Sequence, residues 1–171
     1  MKNDMYKSKF KNTLEHVGFH DCTIKQIEWE NDKLFLYFDW LYFLPTHPIY
    51  NNGAGNETDD ALICFENVKV LKSEWHDHSK AAANALERRN INGDTSPDLT
   101  PYIDFSEIEI NDIDFSDALK GLFILSLDIV KNDEIYICQL KGDGVASQQY
   151  GINIEFEYSN AYLYFSNLFT S

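Results

Sequence analysis

Cys22-Thr23-Ile24-Lys25-Gln26-Ile27-Glu28-Trp29-Glu30-Asn31-Asp32-Lys33-Leu34-Phe35-Leu36-Tyr37-Phe38-Asp39-Trp40 decides the fold class. Lys33 to Trp40 alternates with period two: Leu34, Leu36, Phe38 and Trp40 fall on one face, Phe35, Tyr37 and Asp39 on the other. Alternation of this kind belongs to a strand, because successive side chains point to opposite faces of a sheet. Both faces are largely apolar, so the strand is expected inside a sheet rather than at its edge. Cys22 to Glu30 reads as its hairpin partner, and Asn31-Asp32 supplies residues that suit a tight turn.

Upstream, Phe10, Leu14 and Val17 recur at helical spacing, which predicts a helix over Tyr6–Val17 with Gly18 as its stop. Downstream, Pro45 to Asp60 is rich in Pro, Gly and Asn and reads as a long loop. Ala61–Leu71 is strand-like. Ser79–Arg89 is a second helix candidate, with Ser79 as its N-cap and three consecutive alanines. Tyr102–Phe115 slips register between Phe105 and Ile108 and predicts two short strands or one bulged strand. Ser116–Gly121 reads as a helical turn. The remaining strands are Leu122–Val130, with Phe123, Leu125, Leu127 and Ile129 on one face, then Glu134–Lys141, Gly151–Glu157 and Ala161–Phe169.

Self-comparison finds an echo about one hundred residues apart. Ala61-Leu62-Ile63-Cys64-Phe65-Glu66-Asn67-Val68 aligns with Ala161-Tyr162-Leu163-Tyr164-Phe165-Ser166-Asn167-Leu168, and Asn31-Asp32-Lys33-Leu34-Phe35-Leu36 with Asn132-Asp133-Glu134-Ile135-Tyr136-Ile137. The expected architecture is a single α+β domain, mostly β. Two similar antiparallel units, near 20–70 and 120–170, form a sandwich or rolled sheet. An N-terminal helix and a short helix in an acidic insert, 72–119, complete it.

The chain has 171 residues, 14 Lys plus Arg against 28 Asp plus Glu, and a net charge of −14. An aromatic fraction of 15% is too high for an acidic disordered chain. The acidity argues against non-specific binding to nucleic acid or anionic membranes, which needs cations to replace counterions. The first residues lack the apolar core of a secretory signal and no stretch is long enough to span a membrane, so a cytoplasmic protein is expected. Cys22, Cys64 and Cys138 are odd in number and widely spaced, which favours buried, reduced thiols.

No established catalytic motif is present, and no cofactor is implied. His20-Asp21 could serve as a base or half a metal site, and His76-x-His78 could chelate from one strand face. Together these four residues define a metal-dependent or hydrolytic alternative. The blander reading makes each of them part of a turn or connection. Lys141-Gly142-Asp143-Gly144 lacks the GK[ST] ending of a phosphate loop and reads as a turn.

Asp104, Glu107, Glu109, Asp112, Asp114 and Asp117 follow one another with no Lys or Arg between them. Such a run serves solubility or forms a docking face whose field speeds capture of a basic partner. The partner-contact candidates are Asp104, Glu107, Glu109, Asp112 and Asp114.

Phe19-His20-Asp21-Cys22-x-Ile24-x-x-Ile27, Leu34-Phe35-Leu36-Tyr37-Phe38 and Leu62-Ile63-Cys64-Phe65-Glu66-Asn67-Val68 resemble a family of small bacterial proteins. Its members open on a His-Asp-small-x-Ile strand and carry a Leu-x-Phe-x-Gly/Asn-Val strand. The likeness covers residues 19–70; the insert departs from it, and Asn67 stands where Gly is frequent. Many members are counted among the immunity proteins of polymorphic toxin systems. The resemblance implies a non-enzymatic module that neutralises a protein partner, here a basic toxin. A homo-oligomer paired through edge strands is also open.

Overall fold

A computed structural model describes residues 8–50, 56–143 and 150–170. The strands are, in chain order, β1 (Ser8–Lys11), β2 (Val17–Gly18), β3 (Ile24–Glu30), β4 (Lys33–Phe38), β5 (Tyr42–Phe43), β6 (Asn56–Thr58), β7 (Ala61–Glu66), β8 (Lys69–Asp77), β9 (Glu109–Asp112), β10 (Phe123–Asn132), β11 (Ile135–Asp143), β12 (Tyr150–Tyr158), β13 (Asn160–Phe165) and β14 (Leu168–Thr170). Two helices, α1 (Ser79–Ile91) and α2 (Phe115–Leu119), lie in the insert. The fold is α+β, mostly β and antiparallel, and does not close into a barrel.

One five-stranded sheet runs β1-β13-β7-β4-β3, a second runs β10-β11-β12-β8-β9, and four short strands form a third, β14-β6-β5-β2. The hairpin quoted first is β3–β4, turned at Asn31 with φ 56°. As its two apolar faces require, β4 lies between β3 and β7. Leu34, Leu36 and Phe38 enter the main core. Phe35 packs with Leu62, Cys64 and Tyr164 in a smaller cluster on the opposite face.

The two large sheets meet through aromatic rings. Phe65 of β7 touches Phe156 and Tyr158 of β12 at centroid distances of 5.1 and 4.9 Å, both edge-on. Phe115 of α2 fills the gap between the sheets, 5.7 Å from Phe156 and 5.8 Å from Trp29 of β3. Large aromatics suit this position because each removes a wide apolar area from water.

The chain crosses between the large sheets at two adjoining points. β7 passes into β8 through Asn67, and β12 into β13 through Ser159. Asn67 has φ 57°, a left-handed conformation that favours Asn or Gly, which explains why either residue suits this position. Its Nδ2 donates to Ser159 Oγ at 2.7 Å, and Ser159 N donates to the Glu66 carbonyl at 3.0 Å. β7 and β8 thus pair with β13 and β12 as one ribbon, bent where the sheets part.

The repeated segments have different surroundings. Ala61–Glu66 and Asn160–Phe165 are adjacent strands of one sheet, whereas the hairpins β3–β4 and β10–β11 lie in opposite sheets.

Several local expectations change. Ala61–Leu71 is two strands parted at Asn67, Asn56–Thr58 within the expected loop forms β6, and Ser79 is the first residue of α1 rather than its N-cap. No α-helix forms over the described part of Tyr6–Val17, Tyr6 and Lys7 lying outside the described residues. Ser8–Lys11 instead pairs with β13 at a sheet edge, stacking Phe10 on Phe165, and Leu14–His16 forms a single 3-10 turn. Available ladder hydrogen bonds outweigh the weak helical spacing. Tyr102–Phe115 forms one strand, β9, preceded by two 3-10 turns, not two strands. A bulge between Ile124 and Ser126 breaks the alternation of β10, burying Ile124 and leaving Phe123 and Leu125 exposed. Lys141, Gly142 and Asp143 belong to β11 rather than a turn, and Gly144 lies outside the described residues. A Cβ on Gly142 would sit 2.3 Å from the Phe123 carbonyl oxygen, so only glycine lets β10 approach there.

All three cysteines are buried and free. Burial pushes the thiols up, to about 12 for Cys22 and about 11 for Cys64, so none is a ready nucleophile. No helix among the described residues is long and apolar enough to cross a membrane.

The left-handed corner predicts that Asn67→Gly leaves stability within about 0.5 kcal/mol, whereas Asn67→Ala costs about 1–2 kcal/mol in urea unfolding. A second prediction concerns His47, which is buried between Phe10 and Phe43 with Nε2 3.1 Å from Thr13 Oγ1 and Nδ1 accepting from Ile49 N. Burial, aided by nearby His16, lowers its pKa from 6.5 to about 4. The unfolded chain therefore takes up this proton first as the pH falls. Stability should drop between pH 6.5 and 4 by up to about 3 kcal/mol from this group and change no further from it below pH 4. His47→Gln, which does not titrate, should lose correspondingly less over that window.

Candidate functional site

The acidic run does not stand alone in space. α1 begins where Asp77 accepts hydrogen bonds from Ser79 N and Ser79 Oγ, and it carries Arg88 toward the run. The Arg88 guanidinium meets Glu107 with two parallel bonds, Nη2 to Oε1 at 2.5 Å and Nη1 to Oε2 at 3.1 Å. It also donates to the Tyr102 carbonyl at 3.1 Å, and Asn84 Nδ2 donates to the Glu107 carboxylate. The guanidinium holds the Glu107 carboxyl below its usual range. Glu107 is thus a fastener within the insert.

Asp104 and Asp114 close turns. Asp104 Oδ1 accepts from Ser106 N and Oγ, which lowers its pKa, and Asp114 caps α2 through Ser116 N and Asp117 N. Glu109 and Asp112 differ. They lie on β9, the exposed edge of the second sheet, where Glu109 stands opposite Asp77 and Asp112 opposite Glu74. Among the described residues no Lys or Arg forms an ion pair with either. The run therefore divides into two turn caps, one neutralised acid, and an edge strand with uncompensated charge.

Two apolar side chains stand among these acids. Phe105 is 71% exposed and Ile110 59% exposed. Phe105 borders an open concavity of about 530 Å³ lined by Arg88, Asn92, Tyr102, Ile103 and Asp104. Exposed large apolar groups ringed by charge are the usual composition of a binding patch. The sequence names the acids and leaves room for exposed aromatic anchors, but does not single out Phe105 or Ile110. Phe105 is the central residue of the Asx turn from Asp104 to Ser106, and Ile110 lies on β9, a strand exposed along its whole length.

The four residues of the catalytic alternative form two local pairs. His20 Nδ1 lies 2.8 Å from Asp21 Oδ2 on an exposed turn, where Asp21 has φ 68° and its N–H donates to the Ile124 carbonyl. His76 and His78 do share one side, their rings 6.4 Å apart, while Asp77 turns away to cap α1. His76 Nε2 is 3.0 Å from Asn153 Nδ2 and 3.4 Å from Glu74 Oε2, so that nitrogen has a partner in either tautomer. Among the described residues no group of three His, Cys, Asp or Glu could hold a metal ion.

Comparison with family models, curated proteins and solved structures finds no match.

The Arg88–Glu107 fork predicts a coupling of about 1 kcal/mol in a double-mutant cycle of Arg88→Met and Glu107→Gln, decreasing with added salt. A coupling near zero would mean the fork does not fasten the insert.

Proposed function

We propose that this protein is a cytoplasmic binding module of immunity type, without catalytic role or cofactor. It captures a basic protein partner, in the likeness of a toxin, on the insert surface around β9. The observation that carries the reading is Phe105, largely exposed at the rim of a concavity, with Ile110 and the uncompensated Glu109 and Asp112 close along the chain. Apolar anchors supply affinity, and the acids supply orientation and a faster encounter. Asp104 and Asp114 add field beside them while closing their turns. Glu107 contributes indirectly, by holding the surface to α1 through Arg88. In the sequence the acids and the resemblance suggested the partner; the added support is that exposed apolar groups accompany the acids.

The experiment is titration calorimetry against the product of the gene adjacent to its own. A one-to-one complex is expected, weakened by salt. Phe105→Ala, and the pair Glu109→Lys with Asp112→Lys, should each lower affinity at least ~10-fold with unchanged circular dichroism. No complex, or one indifferent to both variants, overturns the proposal.

A further inference from the structure

The second sheet ends on β10, whose start is bonded to the start of β3, the edge of the first sheet. The first residues of β10 are already paired on the outer side: Ile124 N donates to the Cys22 carbonyl at 2.8 Å, and Asp21 N and Ile24 N donate to the Ile124 and Leu122 carbonyls. From Leu125 to Asn132 the strand pairs with no strand other than β11 among the described residues, and the 3-10 turn Leu14–His16 packs against β10. A strand edge of this length presents alternate N–H and C=O groups ready to pair with another chain.

The inner face of this edge is apolar at Leu127 and Ile129, and its outer face carries Ser126, Asp128 and Asn132 around a single apolar side chain, Val130. Leu127 and Ile129 point inward and are only partly covered, packing against the rim of the main core. On the outer face, Val130 stands opposite Ile137, with Ile135 beside them; Val130 is 47% exposed and Ile135 45%. The charge of β10 is one Asp128 against one Lys131, net zero, in a chain of −14. β9, at the far edge, carries Glu109 and Asp112 with no base. A second copy approaching β9 would set acid against acid. β10 is an edge where the chain can meet itself without that repulsion.

We propose that β10 is the interface of a symmetric homodimer, in which two copies pair antiparallel across a two-fold axis at Val130. Opposed residues in an antiparallel pair point to the same face, so this register sets Val130 against Val130 of the second copy. Asp128 faces Asn132, and Ile129 faces Lys131. No like charges are opposed, and the outer apolar row Ile137–Val130 continues into its symmetry copy. An axis at Asp128 would oppose two carboxylates. An axis at Ile129 would lay Asp128 against Val130. An axis at Leu127 would need the stretch already paired to residues 22–24. The second sheet would thereby extend through both copies, leaving β9 of each free at the far ends for the partner proposed above.

Sedimentation velocity over a concentration series tests this. The wild-type chain should show a reversible monomer–dimer equilibrium. Val130→Lys, which places two cations together on the axis, should shift the dissociation constant upward at least ~10-fold, while Glu109→Lys leaves it unchanged. Independently, Val130→Cys should give a disulfide-linked dimer on mild oxidation, and Asp112→Cys should not. A wild-type chain that stays monomeric throughout, or a dimer that Val130→Lys leaves intact, overturns the proposal. Because Phe105 and β9 lie outside this interface, their substitution tests partner capture separately.

Discussion

The bend shared by two neighbouring strands governs this structure. At Glu66–Asn67 and Tyr158–Ser159 the same ribbon leaves one large sheet and enters the other. The backbone can turn there because Asn67 adopts a left-handed conformation and its side chain, with Ser159, occupies the hydrogen bonds the ladder gives up. Placing Phe65 just before this bend and Phe156 and Tyr158 just before its counterpart brings the three rings together between the sheets. The core and the orientation of the sheets thus follow from one corner.

The insert depends on the same arrangement. β8 emerges from the bend and carries β9 at its outer edge, and α2 returns the chain to the gap where Phe115 seals the core. The segment between is fixed by the Arg88–Glu107 fork and by Asx caps rather than by an apolar core, since only Ala81 and Ala85 of α1 are buried. Charge that looks uniform along the chain therefore does different work at each position. Some of it holds loops, and the part left uncompensated falls on an edge strand beside exposed Phe105 and Ile110.

Reading by periodicity worked where both faces of a strand met dense surroundings. β4 and β12 were legible because alternation in these segments is enforced by packing, with Leu34 and Ile154 deeply buried, whereas Ala61–Leu71 was legible as strand but not as two strands parted at Asn67. It failed at Phe10, Leu14 and Val17, whose helical spacing arises from a strand and a 3-10 turn placed in succession, and at Leu125, where one bulged residue reverses the faces. The acids of the candidate surface were legible by composition. Arg88 was not, because it lies 19 residues from Glu107.

The sequence by itself determined the class of the protein: antiparallel β strands with a helical acidic insert, turned at Asn31 and rich enough in aromatics to order. These features are local, set by side-chain alternation and turn chemistry within a few residues. Tertiary structure alone decided which strands became edges, which acids found a cation, and why two segments one hundred residues apart lie side by side. Each of those outcomes depends on contacts between distant parts of the chain, and the bend at Asn67 and Ser159 brings those parts into register.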